Sequence, residues 1–217
     1  MENDPGSVAA ILLAAGQSRR MGAFKPLLPF GEQTVIESCI NYLHEGGAET
    51  VVVVLGHRAD QVRRRLRDHN VQFALNPDPT SEMDASIAVG VRALPETVRA
   101  VIISLVDYPA IPSTVVSELI AEWKKGALLV KPTRDGVGGH PVLVDLKLRD
   151  ELLSLDPERG LKGLFDKYKD KVGRVEVNSP FVARDMDTWD DYRDLCAEIF
   201  GQTRLELEPD ENNSNES

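Results

Sequence analysis

The chain has 217 residues, 42% of them hydrophobic, which is enough to bury the core of one sizeable α/β domain and marginal for two. Its formal net charge of −10 disfavours nucleic acid as a partner. No apolar run approaches the roughly 20 residues that span a bilayer, so no membrane partner is expected.

Much of the acidity lies at the ends: Glu2 and Asp4 at the start, and Glu206, Glu208, Asp210, Glu211 and Glu216 beyond Arg204. Setting these seven aside leaves about −3 for the rest, which is compatible with a small basic pocket. The first ten residues hold no basic side chain, which argues against a secretory signal. Cys39 and Cys196 stand far apart in amphipathic stretches and read as small buried hydrophobes rather than a disulfide or metal pair. A reducing cytoplasm is the simplest setting.

Residues 8–14 (VAAILLA) are a short continuous apolar run, expected as a buried strand. A helix is expected over 34–43 and a β-branched strand over 50–55 (TVVVVL). Residues 59–68 form a charged helix with Val62 and Leu66 on its inner face. A strand over 71–75, a helix over 83–94 and a strand over 100–105 (AVIISL) follow. Next comes a helix over 112–125, with Pro112 in its first turn. Strands over 127–130 and 141–144, a short helix over 161–168, a strand over 173–177 and a closing helix over 188–200 complete the pattern.

Repeated strand–helix units predict an α/β fold: one Rossmann-like three-layer sandwich with a mostly parallel sheet and helices on both faces. The domain is expected over 7–204. The polar, acidic residues 205–217 are expected to form a disordered tail.

The segment Leu12–Lys25, LLAAGQSRRMGAFK, follows the first strand directly. In open α/β sheets ligands bind beyond the carboxyl ends of strands. Ala14, Ala15 and Gly16 are small and would let the backbone approach a ligand and turn its N–H groups toward an anion. Ser18, Arg19, Arg20 and Lys25 add donors and positive charge suited to a triphosphate. Neither G-x-x-x-x-G-K-[ST] nor G-x-G-x-x-G is present. On residue pattern alone, a phosphate cradle and a plain strand–helix turn with solvated basic residues fit equally well.

The stretch L-A-A-G-x-S-x-R-M-G-x-x-K, from Leu13 to Lys25, closely resembles the signature loop of the molybdopterin nucleotidyltransferase family. That family belongs to the wider group of sugar-phosphate and methylerythritol-phosphate nucleotidyltransferases, of the nucleotide-diphospho-sugar transferase fold type. The resemblance continues through Pro26–Gly31 (PLLPFG) and covers nearly all of 8–200. It implies that the loop wraps an NTP triphosphate, with Arg20 and Lys25 foremost in neutralising charge and Arg19 next.

The same resemblance reads three further motifs. In Leu105-Val106-Asp107-Tyr108-Pro109, Asp107 matches the metal-binding carboxylate of L-x-D-x-P; Tyr108 departs from the usual Gln or Met. Without the resemblance, Asp107 is also a plausible turn aspartate before a proline. In Asp185-Met186-Asp187-Thr188-Trp189, which resembles D-x-D-T-P, Asp187 is implied as the second metal carboxylate and Trp189 replaces the usual Pro. An N-cap for the closing helix explains Asp187 as well. Asn76-Pro77 and Met83–Ser86 resemble a segment near the base and ribose, with Glu82 where Gly is usual. The resemblance thus implies Ser86 as a nucleotide-binding residue, although helix capping accounts for Asp84 and Ser86 equally.

His140 lies in a G-H-P-x-L-like turn and either touches the acceptor or braces the turn. Asp156–Leu161 (DPERGL) resembles a loop near the acceptor phosphate.

Together the resemblance implies a Mg²⁺-dependent nucleotidyltransferase that moves a nucleoside monophosphate from an NTP to a phosphorylated acceptor and releases pyrophosphate. The A-A-G form of the loop looks more like the cytidylyl branch, implying CTP as donor and molybdopterin as acceptor, with a molybdoenzyme or its chaperone as partner. Alternatives are a related transferase using GTP or a sugar or alcohol phosphate, and a non-catalytic nucleotide- or cofactor-binding chaperone. A dinucleotide-dependent oxidoreductase is a third, weakened by the missing G-x-G-x-x-G.

Overall fold

The first strand shows why this sequence builds a two-faced sheet. In β1 (Ser7–Ala14) successive side chains alternate between two buried clusters. Val8, Ala10, Leu12 and Ala14 enter one, and Ala9, Ile11 and Leu13 the other. A strand buried on both faces has no polar alternation, which is the pattern of a sheet covered by helices on both sides. The computed structural model describes residues 7–16, 21–78 and 82–201. Ser18, Arg19 and Arg20, and the tail expected over 205–217, lie outside the described residues.

After β1 come the two-residue strands β2 (Pro29–Phe30) and β3 (Gln33–Thr34), which pair antiparallel as a small hairpin. Then follow α1 (Val35–Glu45), β4 (Thr50–Leu55), α2 (Ala59–Arg65), β5 (Gln72–Leu75), α3 (Met83–Ala93), β6 (Val98–Leu105) and α4 (Ser113–Trp123). The C-terminal part holds β7 (Leu129–Arg134), β8 (Val137–Gly138), β9 (Val142–Asp145), α5 (Arg149–Leu153), α6 (Gly160–Lys167), β10 (Val172–Glu176) and α7 (Trp189–Phe200).

The main sheet runs β10-β7-β9-β6-β1-β4-β5, with β8 on β7. One cluster packs α1, α2 and α4 against the sheet, and the other packs α3, α5 and α6 on the opposite face. This is the mostly parallel, doubly covered single domain expected from the sequence. No helix of the described residues is long and apolar enough to cross a membrane.

Strand β9 runs antiparallel to both β6 and β7 within the mostly parallel sheet. Two expectations are corrected. Pro112 is the N-cap of α4 rather than part of its first turn; its extended backbone (φ −65°, ψ 140°) precedes the helix. Thr188, not Asp187, is the N-cap of α7: its hydroxyl accepts from the Asp191 amide while the Asp191 carboxylate accepts from the Thr188 amide, a reciprocal capping box.

Candidate functional site

Strands β1, β4, β5 and β6 are parallel, so their carboxyl ends share one edge of the sheet. Because β9 is antiparallel to β6, its amino end meets that edge too. The chain leaving β1 is set by close backbone packing. A Cβ on Gly56, just past β4, would stand 2.8 Å from the Ala15 carbonyl oxygen, so only glycine fits there. Gly16 itself meets no such constraint among the described residues. The Leu13 and Ala14 side chains are buried in the core, leaving only their backbone to face a ligand. The Val106 amide donates to the Leu13 carbonyl (3.1 Å), tying the turn after β6 to the end of β1.

Asp107 sits in that turn. Its carbonyl accepts from the Met186 amide (2.9 Å), which brings the Asp185–Asp187 segment alongside. The Met186 side chain is fully buried with Met21, Tyr192 and Cys196, pinning the middle of the segment. Asp107, Asp185 and Asp187 thereby each offer a carboxylate oxygen within 4.8 Å of the other two. Asp187 also accepts from the Lys25 ammonium at 2.7 Å. Lys25 opens a 3₁₀ turn, Lys25–Leu27, and its side chain is only 9% exposed.

Burial pushes the Asp107 carboxyl up to about 6; Lys25 and the residue's own backbone amide oppose the rise, and Asp185 and Asp187 add to it. Among the described residues, nothing bonds its buried Oδ1. An orphaned buried carboxylate oxygen beside two further carboxylates is costly without a cation, and carboxylate oxygens are the hard donors that a Mg²⁺-type ion takes. The residues present therefore fit a divalent metal.

Asp185 was absent from the metal pair read from sequence. The available signal was its spacing: in extended backbone, residues i and i+2 project to one side.

On the β5 side, Asn76 and Ser86 are both buried and joined by a 2.9 Å hydrogen bond from Asn76 Nδ2 to Ser86 Oγ. Glu82 is the N-cap of α3 and makes no side-chain capping bond, so the capping explanation of Asp84 and Ser86 is not what the structure displays.

On the β9 side, a Cβ on Gly139 would fall 2.1 Å from the Val182 carbonyl oxygen, and that oxygen accepts from the His140 amide at 2.7 Å. His140 is thus braced, and its ring lies 5.1 Å from that of Tyr108. Burial lowers the imidazole's proton affinity against the pull of Asp185, and its Nδ1 is buried without a partner among the described residues. Burial, then Asp185, Asp107 and Asp187, push Tyr108 up to about 12.

Three carboxylates and a lysine gathered at one edge of an α/β sheet make a site suited to a divalent metal and a phosphate-bearing ligand. Residues 10–172 match the MobA-like NTP transferase domain, and the chain belongs to that family. It is similar to the nicotine blue oxidoreductase of Paenarthrobacter nicotinovorans, 28% identical over 195 residues and covering 86% of this chain and 95% of the relative. It is also similar to the molybdenum cofactor cytidylyltransferase of Escherichia coli (strain K12), 24% identical over 190 residues, covering 86% and 94%. Among solved structures, the manganese complex of Rv0371c from Mycobacterium tuberculosis H37Rv has a TM-score of 0.76 at 23% identity, covering 89% of this chain and 100% of that one.

Proposed function

We propose that the protein transfers a nucleoside monophosphate from CTP to the phosphate of molybdopterin, releasing pyrophosphate. The observation carrying this reading is the cluster of Asp107, Asp185, Asp187 and Lys25 beside the loop that leaves β1. A phosphate oxygen of the acceptor attacks the α-phosphorus of the NTP, and the bond from that phosphorus to the bridging oxygen of pyrophosphate breaks. The acceptor phosphate is already ionised, so no strong general base is needed and catalysis is positioning plus charge neutralisation.

In this reading Asp107, Asp185 and Asp187 would hold Mg²⁺. The metal would offset charge on the α-phosphate and the leaving group. Lys25 neutralises the triphosphate, together with Arg20 and Arg19, and the backbone of Leu13–Gly16 with Ser18 lines it. Ser86, oriented by Asn76, meets the nucleoside. His140, with Tyr108, faces the acceptor. A molybdoenzyme or its chaperone would take the product, in a cytoplasm whose reducing conditions suit the buried free thiols Cys39 and Cys196. The CTP and molybdopterin assignments are supported by the A-A-G loop and by similarity to the cytidylyltransferase.

The test is pyrophosphate release from each NTP with molybdopterin and Mg²⁺, repeated with Mn²⁺. Turnover with CTP is expected; a GTP preference would move the protein to the guanylyl branch, and an enzyme that binds no NTP overturns the reading.

A second reading is favoured by the similarity to nicotine blue oxidoreductase. It predicts reduction of nicotine blue by a reduced nicotinamide dinucleotide, and the same preparation decides between the two. The intact Lys25, Asp107 and Asp187 count against a chaperone without catalysis.

A further inference from the structure

Met21 is where the loop after β1 re-enters the described structure, and two independent contacts hold that return point. Its side chain is 5% exposed and packs with Met186, Tyr192, Leu195 and Cys196. Its carbonyl accepts a 2.9 Å hydrogen bond from the indole Nε1 of Trp189, a partner 168 positions away.

Trp189 is itself well fixed. It is the first residue of α7, directly after the N-cap Thr188 and its capping box. The Tyr192 ring stands edge-on to its ring at 5.6 Å, and the Arg193 guanidinium lies 5.9 Å from the ring centroid. The same helix start carries Asp187, whose amide donates to the Asp191 carboxylate at 3.1 Å. One rigid element therefore presents both a cluster carboxylate and a donor to the loop.

Beside the packing of Met21 on α7, the two polar links between the loop's return and α7 differ in kind. Lys25–Asp187 is an ion pair, and a metal-bound triphosphate competes for both partners: the carboxylate for the metal, the ammonium for phosphate oxygens. The indole–carbonyl bond is between neutral groups, and neither a cation nor a phosphate displaces it on charge grounds.

We propose that Trp189 is a positioning residue that latches residues 21–25, which carry Lys25, to the start of α7. The latch keeps residues 21–25 in place while Lys25 exchanges Asp187 for phosphate oxygens. The inference rests on the transferase reading.

The test uses the full chain and two variants. Trp189→Phe keeps a ring but loses the donor. Trp189→Pro loses both, at a first helical position where proline is tolerated. Amide exchange of residues 21–24 is measured without ligand, and dissociation constants are measured for Mg–CTP and Mg–GTP. Both variants should exchange these amides about three- to tenfold faster, the factor one hydrogen bond of ordinary net strength carries. Affinity for the nucleotide that wild type binds should fall by a similar factor, with kcat at saturation held within about twofold.

Unchanged exchange overturns the latch. Faster exchange with unchanged affinity makes Trp189 a packing contact and overturns its positioning role. Failure of wild type to bind any NTP overturns the transferase reading and the positioning role with it. The ligand-free exchange measurement distinguishes that result from failure of the latch alone.

Discussion

Lys25 Nζ donates to Asp187 Oδ1 at 2.7 Å across 162 positions of sequence, joining the first loop of the chain to the start of its last helix. The lysine side chain is 9% exposed and the aspartate 31%, so solvent screens this pair less than an ordinary surface pair. Among the described residues, the other two clustered carboxylates, Asp107 and Asp185, have no equivalent bonded cation.

Lys25→Ala removes the ammonium that draws the Asp107 carboxyl downward. If the lysine neutralises transition-state charge, kcat should fall roughly 10²–10³-fold with circular dichroism unchanged. Wild-type turnover would reduce the Lys25–Asp187 pair to a structural tie.

Asp107 makes stability depend on pH with a definite sign. Its folded carboxyl binds a proton more tightly than the ordinary value of 3.8, titrating at about 6. The metal-free protein therefore loses stability as pH rises through that window, and the loss is complete above it. Asp107→Asn abolishes the penalty. Metal-free, it should be more stable than wild type by on the order of 2 kcal/mol above pH ~6, with the difference gone below pH ~4. Thermal melts across this range check the sign; added Mg²⁺ or Mn²⁺ should stabilise only the wild type.

Asp185→Asn tests the third carboxylate. A ligand or near-ligand of the ion should weaken Mn²⁺ binding about tenfold or more when neutralised, at little cost in stability because the residue is exposed. Unchanged Mn²⁺ affinity by titration calorimetry would remove Asp185 from the metal set.

Gly139→Ala should cost about 2–3 kcal/mol in urea unfolding, because its Cβ would meet the Val182 carbonyl at 2.1 Å. The adjacent His140 would move with the backbone. Gly16→Ala is the contrasting case: among the described residues, its Cβ meets nothing within 4 Å. Its stability should stay within about 0.5 kcal/mol, and a loss of NTP affinity there would report the loop's approach to phosphate.

Much of the fold was legible because its signals are local. Residues 50–55 coincide with β4, since a β-branched run buried on both faces has no competing reading. The hairpin β2–β3 went unread: two-residue strands carry no periodicity. The orientation of β9 was equally hidden. An apolar run such as VLV fits parallel and antiparallel neighbours alike, and only register against β6 and β7 chooses.

Within the site, the chain itself determined which chemistry-bearing residues stand at the ends of elements: Lys25 beyond the first strand, Asp107 beyond β6, and Asp187 ahead of α7. Strand-end position follows from where apolar patterning stops, which neighbours in sequence encode. Only the tertiary structure decided that Asp185 joins them, that Ser86 is held by Asn76 rather than capping α3, and that the Trp189 indole reaches the Met21 carbonyl. Each of these depends on which elements meet at one sheet edge. The raised Asp107 carboxyl has the same origin, because its burial and its charged neighbours come from segments that only the folded sheet brings together.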